Sequence, residues 1–267
     1  MSQEEYASLG SQRIALRMRE LRRNLERKIM PYIYEPKGKA KEYGDYALNL
    51  YNGCTHGCKY CYVPAIRRQS QEAFHATASA RNIKWPELTK EIKAHVGKPL
   101  FFCFMCDPYQ PLDSEMKITR NAIQLCKNSG VQVFLLTKGG ARSIRDFDLL
   151  GEGDHYGATL TFTNRTQSRE WEPGAAEPEE RIDALRNAYK WGIFTWASLE
   201  PVIDPVQSLE IISRCHEFVD MFKVGKWNHD ARAHAIDWKA FGTEAVRLLE
   251  KYGKKYYIKK DLAEYLR

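Results

Sequence analysis

From residue 46 onward, short apolar runs rich in β-branched and aromatic residues alternate with stretches whose apolar positions recur three or four apart. The strand-like runs are YALNLYN (46–52), PLFFCFMC (99–106), VQVFLLT (131–137), GATLTFT (157–163), GIFTWASLE (192–200) and VDMFKVG (219–225). Helix-like stretches lie near 64–94, 114–128, 141–150, 178–191, 206–217 and 237–252. Strict alternation of this kind predicts parallel strands joined by helical crossovers, an α/β fold. Six such units predict a partial (β/α)6 TIM-like barrel, since a closed eight-fold barrel takes roughly 250 residues.

Two extensions flank this region. Residues 11–29 place Ile14, Met18, Leu21, Leu25 and Ile29 on one helical face with arginines on the others, and a Pro- and Gly-containing connecting segment follows. The expected organisation is 1–45 for this basic helix and connector, 46–225 for the barrel, and 226–267 for a C-terminal helix and basic closing segment. In that closing segment, KKYYIKKDLAEYLR interleaves lysines with Tyr256 and Ile258. Such a pattern reads either as a strand burying one face or as a single-stranded nucleic-acid contact. Polar and glycine-rich segments (GCTHGC, DPYQP, KGG, NRTQ and PVIDP) follow the predicted strands at their C-terminal ends, where parallel α/β folds build their sites.

Charge changes the picture at the ends only. Of the formal net charge of +7, residues 1–30 carry +3 and residues 251–267 carry +4, so the middle is balanced. Basic ends suit either a phosphate backbone or solvated, solubilising termini. The longest apolar run, LFFCFMC, is far short of the roughly 20 residues of a membrane span. The amino terminus has no secretory pattern, and seven unevenly spaced cysteines do not form a disulfide framework, so a cytoplasmic protein is expected.

Three of those cysteines crowd into LNLYNGCTHGCKYCYVP (48–64) as Cys54, Cys58 and Cys61, a C-x3-C-x2-C array on the loop after the first strand. Thiolates this close need positive charge among them, and iron or zinc is the usual source. A structural zinc site wants four ligands, and no His or Cys follows at the required spacing. His56 reads as a loop-shaping or surface residue. Three thiols suit a [4Fe-4S] cluster with one iron left open to a substrate or cofactor, and Gly53 and Gly57 give the loop the freedom to wrap it.

This array, with the aromatic Tyr60 before its last cysteine, resembles the radical S-adenosylmethionine superfamily. GCTHGCKYCY, DPYQPLD, TRNAIQLCKNSGVQVFLLTKGGARSIRDFDLL and EWEPGAAEPEERIDALRNAYKWGI together resemble the branch that includes spore photoproduct lyase. The resemblance implies a [4Fe-4S] cluster on Cys54, Cys58 and Cys61, with S-adenosylmethionine on the open iron. It also implies one-electron cleavage to a 5'-deoxyadenosyl radical that abstracts hydrogen from a substrate, and an external flavodoxin- or ferredoxin-like electron donor. By the same resemblance Tyr60 lies against the adenine, Asp107 sits where the methionine amino group binds, and Lys138 contacts the cofactor. Thr161 and Thr163 take the place of a ribose or carboxylate contact. Tyr60 and Tyr62 match tyrosines that work with a second-strand cysteine to return hydrogen to a product radical. Cys106 is the candidate for that cysteine and Cys103 the alternative, since alternation along a strand lets at most one of them face the interior.

Outside the resemblance, Glu200 is expected at the barrel mouth as a contact to ribose or polar substrate, with Lys223 and Lys226 beside it. Arg145 and Asp146 read as holding a helix start, and Cys126 and Cys215 as core residues. The function expected is radical chemistry on nucleic acid, either lesion repair or modification. Radical modification of a peptide or protein, and a non-catalytic binding module with a structural metal, are the alternatives.

Overall fold

The apolar runs assemble into one sheet. The computed structural model describes Met18 and residues 31–267; Met1–Tyr32 and Ile33–Arg267 are separate compact units. Of the amphipathic stretch 11–29 Met18 alone is described, helical and exposed; the remainder of that expectation lies outside the described residues.

In the larger unit β1 (Ile33–Tyr34) pairs antiparallel with β2 (Tyr46–Leu48), while β3 (Tyr51–Asn52) and β4 (Ser79–Ala80) form a separate small ribbon. The main sheet then runs through β5 (Leu100–Phe102), β6 (Val133–Thr137), β7 (His155–Thr159), β8 (Phe194–Leu199), β9 (Met221–Val224) and β10 (Lys255–Ile258). Its order is β1-β2-β5-β6-β7-β8-β9-β10, with every pair after β1 parallel. Parallel neighbours in chain order, with helices between, wind the sheet one way, and its open ends make it a partial barrel rather than a closed one.

Each of the six predicted runs supplies a strand. The seventh parallel strand, β10, comes from the closing segment, with Tyr256 opposite Phe222 and Ile258 opposite Val224. β5, β7 and β8 are buried on both faces, as helices covering a parallel sheet require, while β6 alternates buried with half-buried positions. One register row sets Ala47, Phe101, Phe134, His155 and Phe194 side by side. The His155 ring stacks between Phe134 at 3.9 Å and Phe194 at 4.3 Å, and burial pushes its pKa down to about 4, so it is a neutral member of an aromatic stack.

Local capping accounts for the departures from the expected elements. The predicted helix 64–94 is three: Val63–Arg67 ends where Arg68 turns left-handed, and Gln71–Ala76 begins where the Ser70 hydroxyl accepts from Ala73 N. Trp85–Lys93 follows the β3–β4 ribbon. The segment Gly140–Leu149 is a 3-10 helix. A helix at Arg165–Trp171, read from sequence as turn, is capped by the Asn164 side chain accepting from Gln167 N at 3.0 Å. No helix among the described residues is long and apolar enough to cross a membrane.

Candidate active site

The C-terminal ends of the strands enclose a cavity of about 810 Å³, within the roughly 300–1,000 Å³ of small-molecule sites. Cys54, Cys58, Tyr60, Cys61, Tyr62, Cys106, Asp107, Lys138 and Glu200 all line it, so the fold gathers in one place residues spread over 147 positions, from 54 to 200. Thr161 and Thr163 are not in the lining. Thr161 is fully buried behind Tyr60, and Thr163 turns to Gln207 and Glu210 on the helix Pro205–Cys215, while Thr159 occupies the wall.

The three-cysteine loop is held from outside by the end of the helix Arg165–Trp171 and the segment after it. Lys59 N donates to Trp171 O and Gly174 N to His56 O, both at 2.9 Å. Within the loop Gly53 has φ +74°, and a Cβ there would lie 2.2 Å from Thr77 O. We therefore expect Gly53→Ala to cost about 1–2 kcal/mol from conformation alone, with a further loss from the clash. A lowered thermal midpoint together with reduced iron bound per chain checks this; unchanged values of both would contradict it.

Cys54 and Cys58 are buried and Cys61 is half-buried. Burial pushes the Cys58 thiol up to about 12 and raises Cys54 and Cys61 as well, so an added positive centre is needed to hold three thiolates. Among the described residues no three such side chains converge as a single-ion site requires. Three thiols on one loop, all lining the cavity, are the kind of donor set that would hold a [4Fe-4S] cluster.

Behind the loop lies a buried ionic network that sequence reading missed. Glu172 and Arg181, both essentially inaccessible, pair at 2.6 Å, and Arg181 also donates to Ala176 O and Thr159 O. The Tyr60 hydroxyl donates to Glu172 in a short hydrogen bond. Burial alone would raise the Glu172 carboxyl, but Arg181 and Lys138 outweigh it and hold it below the usual range. Lys138 rests its ammonium 5.4 Å over the Tyr60 ring, and Cys58 and Glu172 overcome its burial to keep it charged. Glu172 and Arg181 stand in EWEPGAAEPEER, and a carboxylate next to Pro-Gly in a predicted connection was the available signal.

Asp107 is the second buried acid. It accepts from Tyr109 N at 2.8 Å, Thr137 Oγ1 at 2.6 Å and Lys138 N at 2.8 Å, so it clamps the end of β5 to the end of β6. His56 is buried rather than on the surface: its Nδ1 lies 3.5 Å from Asp107 and its Nε2 3.1 Å from Arg142, which fixes the loop from within. Burial, which outweighs Asp107, pushes its pKa down to about 4.

Glu200, also in the cavity lining, accepts from Tyr43 OH at 2.6 Å and from the buried Lys259 ammonium. Lys226 lines the cavity as expected, whereas Lys223 is not in the lining; its ammonium donates to Glu42 O at 3.1 Å and lies over Tyr43 and Trp196. Arg145 pairs with Asp113 and Asp146 away from the cavity lining, a structural role.

The second-strand cysteines differ from expectation in one respect. Both Cys103 and Cys106 line the cavity, because β5 ends at Phe102 and the alternation of a strand no longer applies to the bend that follows. Tyr62 OH donates to Phe104 O in that bend at 2.8 Å.

The Radical SAM superfamily profile matches residues 48–219. The chain is similar to uncharacterized protein MJ0683 of Methanocaldococcus jannaschii, 28% identical over 169 residues, 62% of this chain; the match spans 64% of that protein's length. It is also 24% identical over 182 residues to the Radical SAM Nalpha-GlyT isomerase of Pseudomonas phage M6, covering 66% of this chain and 36% of that one. In fold it is similar to spore photoproduct lyase with bound AdoMet and dinucleoside spore photoproduct, at TM-score 0.66 and 13% identity over 84% of this chain and 78% of that one. A family profile covering most of the barrel, on a fold that brings its three cysteines to the mouth, places this chain in the Radical SAM superfamily.

Proposed function

We propose that this chain reductively cleaves S-adenosylmethionine and directs the resulting 5'-deoxyadenosyl radical at a nucleic-acid substrate, for lesion repair or base modification. Family membership makes a [4Fe-4S] cluster and S-adenosylmethionine the cofactors. When bound, the reduced cluster supplies one electron to the sulfonium of S-adenosylmethionine. The chain's own residues then bind, orient and shield. Cys54, Cys58 and Cys61 would hold the cluster. Lys138, a charged ammonium at the wall, suits the cofactor's carboxylate, and the ring of Tyr60, fixed through its hydroxyl to Glu172, offers a face for the adenine. Thr159, and the carboxylates of Asp107 and Glu200 beside their present partners, are the polar groups proposed for the amino and ribose ends. Tyr62 and Cys106 both line the cavity and are the residues proposed to return hydrogen to a product radical.

The observation that carries the substrate class is the composition of the shared cavity. Lys37, Lys39, Lys138, Lys226 and Lys259 line it against Glu35, Asp107 and Glu200. Glu200 is paired with Lys259 and Lys39 with Asp261, which leaves Lys37, Lys138 and Lys226 against Glu35 and the hydrogen-bonded Asp107. A positive rim with Tyr34, Tyr62 and Trp227 among it suits phosphates and bases together. The relatives support this reading: the spore photoproduct lyase structure holds a dinucleoside photoproduct, and the phage protein is named for a GlyT isomerisation.

The test is binding of single-stranded oligonucleotides across a salt series, with 5'-deoxyadenosine yield measured with DNA, RNA or a peptide extract. Replacing Lys37, Lys39 and Lys226 by alanine is expected to weaken binding and to flatten the slope of log K against log salt by about 2. Unchanged affinity and slope, or stimulation by peptides alone, would refute the nucleic-acid reading.

A further inference from the structure

Lys259, the residue after β10, is 1% exposed and yet stands in the lining of the cavity. Its backbone N donates to Val224 O at 2.8 Å, which continues the pairing of β10 with β9 past Ile258. Its ammonium pairs with Glu200, just past the end of β8, and lies 4.5 Å over the ring of Tyr43. The three side chains converge on one atom. Glu200 Oε2 accepts from both the Lys259 ammonium and the Tyr43 hydroxyl, the latter at 2.6 Å, and Tyr43 OH also lies 3.0 Å from Ser198 Oγ. Tyr43 is itself held: its ring packs with Phe101 and Trp196 at 5.9 Å each and takes the Lys223 ammonium at 4.9 Å.

The other carboxylate oxygen is left over. Glu200 Oε1 takes no hydrogen-bond partner among the described residues, while the side chain keeps 17% of its surface accessible and lines the cavity. A Cβ on residue 225 would lie 2.9 Å from Oε1, so Gly225 leaves the space in which this carboxylate sits. Holding β8 to β10 does not account for the arrangement. A buried ion pair stabilises a fold no better than apolar side chains of the same volume, because desolvation offsets much of the attraction. Two donors on one oxygen do what an apolar pair cannot: they fix the carboxylate and leave its second oxygen as an oriented acceptor.

We propose that Tyr43 and Lys259 are positioning residues that hold Glu200 so that its Oε1 accepts a hydrogen bond from a nucleoside in the cavity. The donor is a ribose hydroxyl or an amino N–H, chemistry that the adenosine of S-adenosylmethionine and a nucleic-acid substrate share. Resting on the reading of the cavity as the cofactor and nucleic-acid site, this role makes the connector that bears Tyr43 and the closing segment that bears Lys259 parts of that site. Neither Tyr43 nor Lys259 touches the ligand; each acts through the Glu200 carboxylate.

The experiment measures binding to the full, cluster-loaded chain without oxygen: equilibrium dialysis of radiolabelled S-adenosylmethionine and, separately, fluorescence anisotropy of a labelled single-stranded oligonucleotide. In Glu200→Gln the amide oxygen can stay with Lys259 and Tyr43, which turns an NH2 toward the ligand's donor. This variant is expected to weaken binding of one of the two ligands by about ten- to a hundredfold, the range for a lost hydrogen bond to a charged group. The ligand affected identifies the source of the donor. Lys259→Met is expected to weaken the same ligand by about tenfold, and by less than about twofold further on the Glu200→Gln background, where nothing is left to position. Lys259→Arg, which keeps charge and donors, is expected to recover affinity. Tyr43→Phe, which deletes a single oxygen, gives the same test where the lysine change unfolds the chain. Affinity for both ligands unchanged in Glu200→Gln would overturn the proposal, as would a Lys259→Met loss of equal size with and without the Glu200 change. A wild-type chain that binds neither ligand would overturn the reading of the cavity itself, and this role with it.

Discussion

Cys58→Ala is expected to give a folded, colourless protein whose 5'-deoxyadenosine formation falls by at least about a hundredfold, beyond the 10–100-fold typical of losing a mere supporting partner of a metal ligand. Cys58 is the middle thiol of the loop and 6% exposed. The loop's backbone does not depend on its sulfur: Cys61 N donates to Cys58 O at 3.0 Å, Lys59 N to Trp171 O and Gly174 N to His56 O. Alanine keeps all three bonds and removes one of the proposed ligands. The checks are iron content, visible absorbance after reconstitution and 5'-deoxyadenosine by chromatography, with circular dichroism to show that the fold is kept. A variant that still yields 5'-deoxyadenosine at the wild-type rate would remove Cys58 from the ligand set.

The second large effect is structural. Glu172→Ala is expected to destabilise the protein by about 3–5 kcal/mol, because it leaves the Arg181 guanidinium charged and buried without its counter-ion. Arg181 would retain its bonds to Ala176 O and Thr159 O, which satisfy donors but do not neutralise charge. The same change frees the Tyr60 hydroxyl and removes one of the groups that favour a charged Lys138. Denaturant unfolding of the apoprotein reads the stability loss apart from any effect on the cluster. Replacing Arg181 by Met in the same chain is expected to recover part of it, since the lone buried charge is then gone. A loss below about 1 kcal/mol in the single variant would show that the pair is not buried in solution.

Much of this architecture could be read from the chain. Alternating strand and helix patterns are set by local burial, so six parallel strands and the open-barrel class were legible, and the clustering of Cys54, Cys58 and Cys61 within eight residues announced its chemistry directly. What could not be read depends on contacts distant in sequence. Glu172 with Arg181, Glu200 with Lys259, and Asn49 with the Phe104–Met105 backbone are each pairs whose partners meet only once the sheet is wound. β10 was legible only as one of two readings of the closing segment, because an exposed edge strand lacks the two-sided apolar signature of a central one. That both Cys103 and Cys106 line the cavity escaped because the apolar run LFFCFMC continues past the point at which the strand stops.

The account stands most directly on reductive cleavage of the cofactor. The protein is reconstituted with iron and sulfide in the absence of oxygen, reduced with dithionite and given S-adenosylmethionine, and 5'-deoxyadenosine is quantified against a protein-free control. Product is expected that requires the cluster, the reductant and the cofactor together. A fully loaded, dithionite-reduced cluster that yields no 5'-deoxyadenosine above the control, with DNA and RNA present, would contradict it.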